Sequence, residues 1–438
     1  MPTLLAAEEK VMLDIRKIRE TPDAVKAGLA AREVNPAVVD EIIALDGVRR
    51  EKTSAVQALQ GERNAMSKKI GAARKAGENT DALQAEVRAL GERIAALDRE
   101  ATEIDDRQCA LLLSLPNLPA PGVVPGGKEA NEVVSVWGEK PVFDGFEPKD
   151  HVALCTKLGL IDYDRGVRMG GNGFWLYRGL GSRLEWALLN YFIQEHLKDG
   201  FEFILPPHLL NYDCGLTAGQ FPKFEEDVFR LKEEGFQFLL PTAETALVNL
   251  HRGEIVEEAE LPQKMFAYTP CYRREAGSYR KEERGMVRGH QFNKVEMFAY
   301  TLPEQSMEML QLLIRKACAL VEGLGLHYRL SKLAAGDCSA SMATTYDVEL
   351  WIPSMGVYKE CSSVSNAMDY QARRGNMRFR RAETRKTEFM HTLNGSGLAT
   401  SRLLPAIVEQ FQQADGSVVV PKVLVPFMGG IEKIEPAK

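Results

Sequence analysis

Residues 269–298 read TPCYRREAGSYRKEERGMVRGHQFNKVEMF, and this stretch is the most informative part of the 438-residue chain. Two strand-like segments flank a charged middle, which predicts a β-hairpin with a long loop. The hairpin carries guanidinium groups that suit a phosphate, a carboxylate that suits an exocyclic amine, and an aromatic ring that suits a base. These are the parts of a nucleotide pocket. A surface hairpin with solvated charges is the alternative that this segment alone leaves open.

Length and composition narrow the class of protein. At 438 residues the chain can hold about two to three domains, and its 45% apolar and 26% charged residues are typical of a soluble globular protein. Apolar runs fall short of the roughly 18 residues of a membrane span, and the N-terminus lacks the pattern of a signal peptide. A net charge of −6 means that any RNA contact must come from a local basic patch. The seven cysteines contain no CxxC pair, which predicts free thiols in the cytoplasm.

A long helical hairpin is predicted over about residues 38–115. Apolar residues recur at alternating spacings of three and four in two successive limbs, which is typical of two helices that wrap around each other. The string GENTD (77–81) interrupts this pattern, and Thr80 is a good N-cap residue for the second limb. Pro116 and Pro119 end that limb.

The two limbs differ in charge. Residues 49–75 include eight basic and two acidic side chains, whereas residues 81–107 include four basic and eight acidic ones. One basic edge would suit a phosphate backbone, but the limbs could equally neutralise each other, and the residues alone favour neither interpretation. The basic residues of the first limb are Arg49, Arg50, Lys52, Arg63, Lys68, Lys69, Arg74 and Lys75.

The rest of the chain has a different pattern. The Pro/Gly-rich string NLPAPGVVPGG (117–127) predicts a linker, and after it β-like runs alternate with longer helical ones. We therefore predict an α+β protein with a helical arm domain (1–116), a linker (117–127) and a second domain (128–438).

Further motifs follow in a recognisable order: PTAE (241–244), TYDVELWIP (345–353), KECSSVSN (359–366), DYQARR (369–374) and HTLNGSGLA (391–399). Together with residues 269–298, which are similar to motif 2, they resemble the seryl-tRNA synthetase family of class II aminoacyl-tRNA synthetases. The resemblance runs from about Met12 to Met428. It implies an antiparallel sheet flanked by helices and a tRNA-binding arm. It also implies a homodimer built at motif 1, to which Pro207 corresponds.

The same resemblance implies an activity. L-serine and ATP, with Mg²⁺, would give seryl-adenylate, and the seryl group would then pass to the terminal ribose of tRNA(Ser). Neither step requires a protein nucleophile, so such an enzyme works by positioning its substrates and stabilising charge. For that reason we interpret His290 as a structural residue.

Individual roles are carried over from the family's motifs. The catalytic positions would be Arg273, Glu360 and Arg402. The ATP-binding positions would be Arg273, Arg274, Glu275, Phe292, Glu360, Cys361, Ser362, Ser363 and Arg402. The serine-binding positions would be Thr242, Ala243, Glu244, Arg273, Glu296 and Ser396. Glu360 and Ser363 would hold Mg²⁺, and the eight basic residues of the first limb would bind tRNA.

Two local expectations accompany these assignments. Because successive strand residues point to opposite faces, only one of Arg273 and Arg274 should enter the site, and we expect Arg273. Asn394, Gly395 and Gly397 are predicted to form a tight turn that presents Ser396.

Three alternative functions stay open at this point. A paralogue could serve antibiotic self-resistance or load a carrier protein, and a degenerate homologue could bind RNA without catalysis. Carrier-protein ligases lack the helical arm that this chain has. A degenerate homologue would be expected to have lost catalytic residues, which are present here. The main departure from the family is the motif 2 loop YRKEERG (279–285), whose contacts are therefore in doubt.

Overall fold

The protein is described here by a computed structural model, which covers residues 13–233, 235–275 and 285–436. Within these residues the chain forms two compact units. One consists of residues 13–30 and 34–115, and the other of residues 31–33 and 116–436. The predicted domain boundaries remain a prediction.

Four helices make up the first unit: α1 (Ile15–Glu20), α2 (Pro22–Ala31), α3 (Val38–Lys75) and α4 (Asp81–Ser114). Helices α3 and α4, of 38 and 34 residues, pack along each other as the predicted hairpin. Their seam is thin, because only a few side chains of each helix are fully buried, such as Ile42 and Val56 on α3 and Leu90 and Ile94 on α4. The prediction of a long antiparallel helical hairpin is confirmed.

The cap of α4 differs from the expectation in one detail. Thr80 occupies the N-cap position, but its side chain makes no capping hydrogen bond to the helix backbone. Its hydroxyl instead accepts a hydrogen bond from Nε2 of Gln84 at 2.7 Å, while Oδ1 of Asn79 accepts from the amide of Asp81 at 2.8 Å. The neighbouring Asn79 therefore satisfies an exposed amide of the first helical turn.

The second unit contains helices and strands in mixed order. In chain order they are β1 (Glu132–Trp137), α5 (His151–Lys157), β2 (Ile161–Asp162), α6 (Tyr163–Gly170), β3 (Leu176–Tyr177), α7 (Leu180–Lys198), β4 (Glu202–Ile204), β5 (Leu209–Asn211), α8 (Tyr212–Ala218), β6 (Gln237–Leu239), α9 (Glu244–Leu247), β7 (Ile255–Glu257), β8 (Gln263–Tyr272), β9 (Gln291–Thr301), α10 (Ser306–Gly323), β10 (Tyr328–Lys332), β11 (Thr344–Ile352), β12 (Val357–Met368), α11 (Tyr370–Arg374), β13 (Arg378–Arg380), β14 (Thr387–Phe389), β15 (His391–Ala399), α12 (Thr400–Gln410), β16 (Val418–Val419) and β17 (Lys433–Ile434).

An eight-stranded sheet organises this unit, with strand order β1-β10-β11-β12-β15-β9-β8-β4. Its neighbouring strands pair antiparallel, apart from the parallel pair β4 and β8. Strands β8 and β9 form the predicted hairpin, in register from Gln263 opposite Tyr300 to Tyr272 opposite Gln291. Residues 276–284 of its loop lie outside the described residues. The α+β fold with an antiparallel sheet is thus confirmed.

The main core lies between this sheet and helices α7, α10 and α12, whose apolar side chains form one buried cluster with those of the strands. Antiparallel strands can bury one face and leave the other polar, because successive side chains point to opposite faces. The opposite, polar face of the central strands carries the site described next.

Candidate active site

The polar face of the sheet lines a cavity of about 720 Å³. On β9, Lys294 and Glu296 line this cavity, whereas the alternate residues Val295 and Met297 belong to the apolar core. Strand β12 contributes Ser363 to the cavity in the same way. The two-residue period of the strands therefore collects polar side chains at one place.

Arg273 directly follows the last residue of β8 and lines the cavity. Its backbone amide donates to the carbonyl of His290 at 2.9 Å, and its Nε donates to the carbonyl of Pro241 at 3.3 Å. The guanidinium lies over the ring of Phe292, 5.2 Å from the ring centroid. His290 in turn places Nδ1 2.9 Å from the carbonyl of Arg273, a contact that agrees with a structural role.

The neighbouring Arg274 does not line this cavity or the smaller one described below. Its Nη1 donates to the carbonyl of Glu226 at 3.1 Å, and its amide donates to the carbonyl of Asp227 at 2.9 Å. Only Arg273 of the pair therefore lines the cavity, but both arginines follow the last residue of β8, Tyr272, so strand alternation does not explain the difference. The structure gives no support to Arg274 as an ATP-binding residue.

Buried carboxylates form a hydrogen-bonded polar group in the lining of the cavity. Glu244 and Glu296 are 8% and 1% exposed, and Nδ2 of Asn394 donates to both, at 3.2 Å in each case. Lys294 forms an ion pair with Glu296 and donates to Oγ1 of Thr242 at 2.7 Å. Burial, followed by the nearby charge of Glu296, raises the pKa of Glu244 to about 7.

Ser396 also reaches this group, since its hydroxyl lies 3.4 Å from Oε2 of Glu296. The predicted tight turn around it is wrong, because Asn394–Gly397 lie within strand β15. Glycine is needed there for close packing instead. A Cβ on Gly397 would lie 2.3 Å from Nε2 of His196, which is 2.9 Å from the carbonyl of Gly397.

A smaller cavity of about 50 Å³ lies beside the larger one and shares part of its lining. Nε of Arg402 donates to the carbonyl of Val287 at 3.0 Å, and its Nη1 donates to the carbonyl of Glu360 at 2.6 Å. Glu275 accepts from Nε of Arg288 at 2.7 Å. Six residues predicted for ATP line this smaller cavity: Arg273, Glu275, Phe292, Glu360, Cys361 and Arg402.

Three oxygen-bearing side chains meet where β11 and β12 pair. Asp347 lies opposite Ser363 in the register, and both line the larger cavity together with Glu360. Oδ1 of Asp347 is buried and has no hydrogen-bond partner among the described residues. Burial, with the neighbouring charge of Glu360 second, raises the pKa of Asp347 well above its usual value.

Some residues predicted to bind substrates do not line either cavity, and some residues that do line the larger cavity were not predicted. Ala243 and Ser362 are buried but line neither cavity; the hydroxyl of Ser362 donates to the carbonyl of Ser396 at 2.7 Å. Lys294 and Asp347 were not predicted, although each lies two residues from a residue that lines the cavity, Glu296 and Thr345. The strand period was the signal that could have found both.

The basic edge of the first limb divides into two parts. Arg49 forms ion pairs with Asp46 at 3.3 Å and Asp105 at 3.7 Å, and Lys52 forms one with Glu100. The limbs thus neutralise each other at these positions. Among the described residues, the other six form no ion pair within 4.0 Å: Arg50, Arg63, Lys68, Lys69, Arg74 and Lys75.

Comparison with known proteins identifies the family. Family models match two regions, the "Seryl-tRNA synthetase N-terminal domain" over residues 12–119 and the "tRNA synthetase class II core domain (G, H, P, S and T)" over residues 229–411. Serine–tRNA ligase 2 of Clostridium acetobutylicum is 58% identical over 95% of this chain and 99% of its own length. The chain belongs to the seryl-tRNA synthetase family.

Solved structures of the family match the fold closely. Seryl-tRNA synthetase from Pyrococcus horikoshii, complexed with ATP, is 35% identical with a TM-score of 0.91, over 98% of this chain and 100% of that one. The cytoplasmic serine–tRNA ligase from Naegleria fowleri, in complex with AMP, is 28% identical with a TM-score of 0.87, over 98% and 99% of the two chains. The similarity to the family therefore covers nearly the whole chain.

Proposed function

We infer that the protein is an ATP-dependent serine–tRNA ligase, which activates L-serine to seryl-adenylate and transfers the seryl group to tRNA(Ser). The observation that carries this conclusion is family membership over almost the full length, at 58% identity to a serine–tRNA ligase. Serine-dependent exchange of pyrophosphate with ATP, measured with all twenty amino acids and followed by charging of tRNA(Ser), tests it. Exchange with another amino acid, or no exchange at all, would contradict it.

Within this activity, we propose that the buried carboxylate group holds serine. Its ammonium would be attracted by Glu244, and its hydroxyl would bond to Glu296 and Ser396. Lys294 supports the proposal, because its ion pair with Glu296 and its hydrogen bond to Oγ1 of Thr242 tie together two of the side chains assigned to serine. The free amino acid alanine, bound in place of serine, would leave buried hydrogen-bond acceptors unpaired. Threonine, which has an extra methyl group, would have to be excluded by the shape of the site.

Nucleotide binding is assigned to the smaller cavity and the adjoining part of the larger one. Arg273 would bridge the α-phosphate and the serine carboxylate, because its planar group offers several donors at once. Phe292 and Arg402 would lie on the two faces of adenine, and Glu275 would accept from the adenine amine. The position of all four in the lining of one cavity supports these roles.

Mg²⁺ would be held by Glu360 and Ser363. The donor set fits, since carboxylate and hydroxyl oxygens are the ligands that this ion prefers, and the unpartnered Oδ1 of Asp347 is a further buried acceptor at the same place. When bound, the ion supplies positive charge to the phosphates of ATP. Asp347 would take part either as a ligand or through water.

The chemistry then follows from positioning. A carboxylate oxygen of serine forms a bond to the α-phosphorus, and the bond to pyrophosphate breaks, so that seryl-adenylate and pyrophosphate result. Arg273 would stabilise the negative charge that builds on the α-phosphate. In the second step the oxygen of a ribose hydroxyl of tRNA forms a bond to the seryl carbonyl carbon, and the bond from that carbon to the phosphate oxygen breaks. AMP leaves with that oxygen, and the hydroxyl proton passes to the released phosphate group or to water.

For tRNA binding we propose the part of the basic edge that is not neutralised. Arg63, Lys68, Lys69, Arg74 and Lys75 lie towards the turn of the hairpin, and cations without protein partners are the ones available to phosphates. Arg49 and Lys52 would contribute less, because their charges are already paired.

We also propose a homodimer that forms through α7 and β4. Apolar side chains at and near these elements are exposed, namely Trp186, Leu197, Phe203 and Leu205 at 52%, 44%, 38% and 72%. An exposed apolar patch of this kind is typical of an interface.

The described residues contain no helix that could cross a membrane. All seven cysteines are described and no disulfide joins them, which supports the cytoplasm as the compartment.

A further inference from the structure

Arg32 follows α2 and precedes α3 in the sequence, yet its side chain holds part of the wall of the larger cavity. The residue is 7% exposed. Its Nη1 donates to the carbonyls of Cys338 at 3.2 Å and Ser339 at 3.4 Å, and its Nη2 donates to the carbonyl of Met342. A planar guanidinium can serve several carbonyls at once, which a lysine ammonium on a flexible stem does less well. Arg32 therefore fixes backbone rather than another side chain.

Asn117 holds the remaining carbonyls of the same segment. Its amide donates to the carbonyl of Ala340 at 2.7 Å, and its Nδ2 donates to the carbonyl of Ser341 at 3.0 Å. All five carbonyls of residues 338–342 thus accept from either Arg32 or Asn117. These two residues flank the α3–α4 hairpin in the sequence, one before it and one after it.

The segment 338–342 borders the cavity, which Ser339, Ala340, Ser341 and Met342 line. Ser341 lies close against Gly219, where a Cβ atom would be 2.8 Å from the Cβ of Ser341. The contact leaves no room for a side chain at residue 219, so the segment packs directly against Gly219. A shift of the segment would therefore displace Gly219.

From Gly219 the contacts continue to the proposed serine site. The carbonyl of the preceding residue, Ala218, accepts from Nε2 of Gln371 at 3.1 Å. The same Nε2 donates to Oε1 of Glu244 at 2.7 Å. A continuous set of packed and hydrogen-bonded groups therefore joins Arg32 to Glu244.

We propose that Arg32 is a positioning residue for serine: it holds the 338–342 segment in place and thereby keeps Glu244 correctly set. The inference rests on the proposed function. It gives a role in amino-acid binding to Arg32, a residue of the predicted helical arm domain (1–116). ATP binding should depend on Arg32 much less, since these contacts lead to Glu244 and include none of the four side chains proposed to hold adenine and the α-phosphate.

The test is steady-state pyrophosphate exchange with the full-length Arg32→Met variant, which keeps the length of the side chain but has no donors. We expect the KM for serine to rise about tenfold or more, because small misplacements of binding groups are costly, while the KM for ATP changes less than about twofold. Arg32→Lys should recover part of the loss. Arg183→Met is the matched control, since Nη2 of Arg183 donates to the carbonyl of Met428 at 2.6 Å and the residue does not line the larger cavity.

Either of two results would overturn the proposal. One is an unchanged KM for serine in a folded Arg32→Met variant, and the other is an equal rise in both KM values that Arg183→Met reproduces. If Arg32→Met does not fold, Asn117→Ala replaces it, with the same expected selective effect on serine and the same contrary result. Wild-type protein without serine-dependent exchange would instead refute the proposed function itself.

Discussion

Glu244 should make serine activation depend on pH between 6 and 8. Burial and the charge of Glu296 raise its pKa from the usual 4.5 to about 7, so the carboxyl is mostly protonated at pH 6 and mostly ionised at pH 8. The ionised fraction rises from about 10% to about 90% over this range, by the titration of a single group. If only the ionised form attracts the ammonium of serine, kcat/KM for serine should rise about tenfold.

The assay is serine-dependent pyrophosphate exchange at constant ionic strength from pH 6 to pH 8, with ATP saturating. Glu244→Gln should lower kcat/KM and flatten its pH profile. Glu185→Gln is the matched control, because Glu185 is also a buried carboxyl with its pKa raised to about 7 but does not line the larger cavity. A flat profile in the wild type, or a profile that survives in Glu244→Gln and disappears in Glu185→Gln, would refute the reasoning.

Three further predictions concern catalysis, tRNA and stability. Arg273→Ala should lower adenylate formation by several orders of magnitude, because a charge-stabilising group at the reacting phosphate is lost, and a loss below about tenfold in pyrophosphate exchange would refute its role. Deletion of residues 47–109 should spare adenylate formation, since it keeps Arg32 and Asn117, and should abolish charging of tRNA(Ser); intact charging would mean that the arm is only structural. Glu185→Gln should gain stability over the wild type as the pH rises from 4.5 to 7, by up to about 3 kcal/mol in chemical denaturation, because the unfolded carboxyl ionises in that window while the buried one keeps its proton. A constant difference between the two proteins across that window would contradict it.

The elements of the fold that follow a regular residue pattern could be predicted from the sequence. The helical hairpin and the β8–β9 hairpin each leave a local pattern, and both are present. The helices have nearly the expected bounds, whereas β8 begins at Gln263, six residues before the stretch that predicted the hairpin. Of the fourteen residues predicted to bind ATP or serine, eleven line one or both cavities.

Tertiary contacts explain what was missed. Gly395 and Gly397 looked like turn residues, but the packing of His196 and other side chains against β15 explains the glycines, and this contact joins residues far apart in the sequence. The partial neutralisation of the basic edge depends on which residues of α3 and α4 lie opposite each other. The role of Arg32 depends on bonds to residues more than 300 positions away, which no local pattern contains.

The most direct test of the central claim is a crystal structure of the protein with a non-hydrolysable seryl-adenylate analogue. We predict that the seryl group lies between Glu244 and Glu296, that Arg273 contacts the phosphate position, and that adenine lies between Phe292 and Arg402. An analogue bound away from these side chains, or failure to bind it at all, would contradict the account.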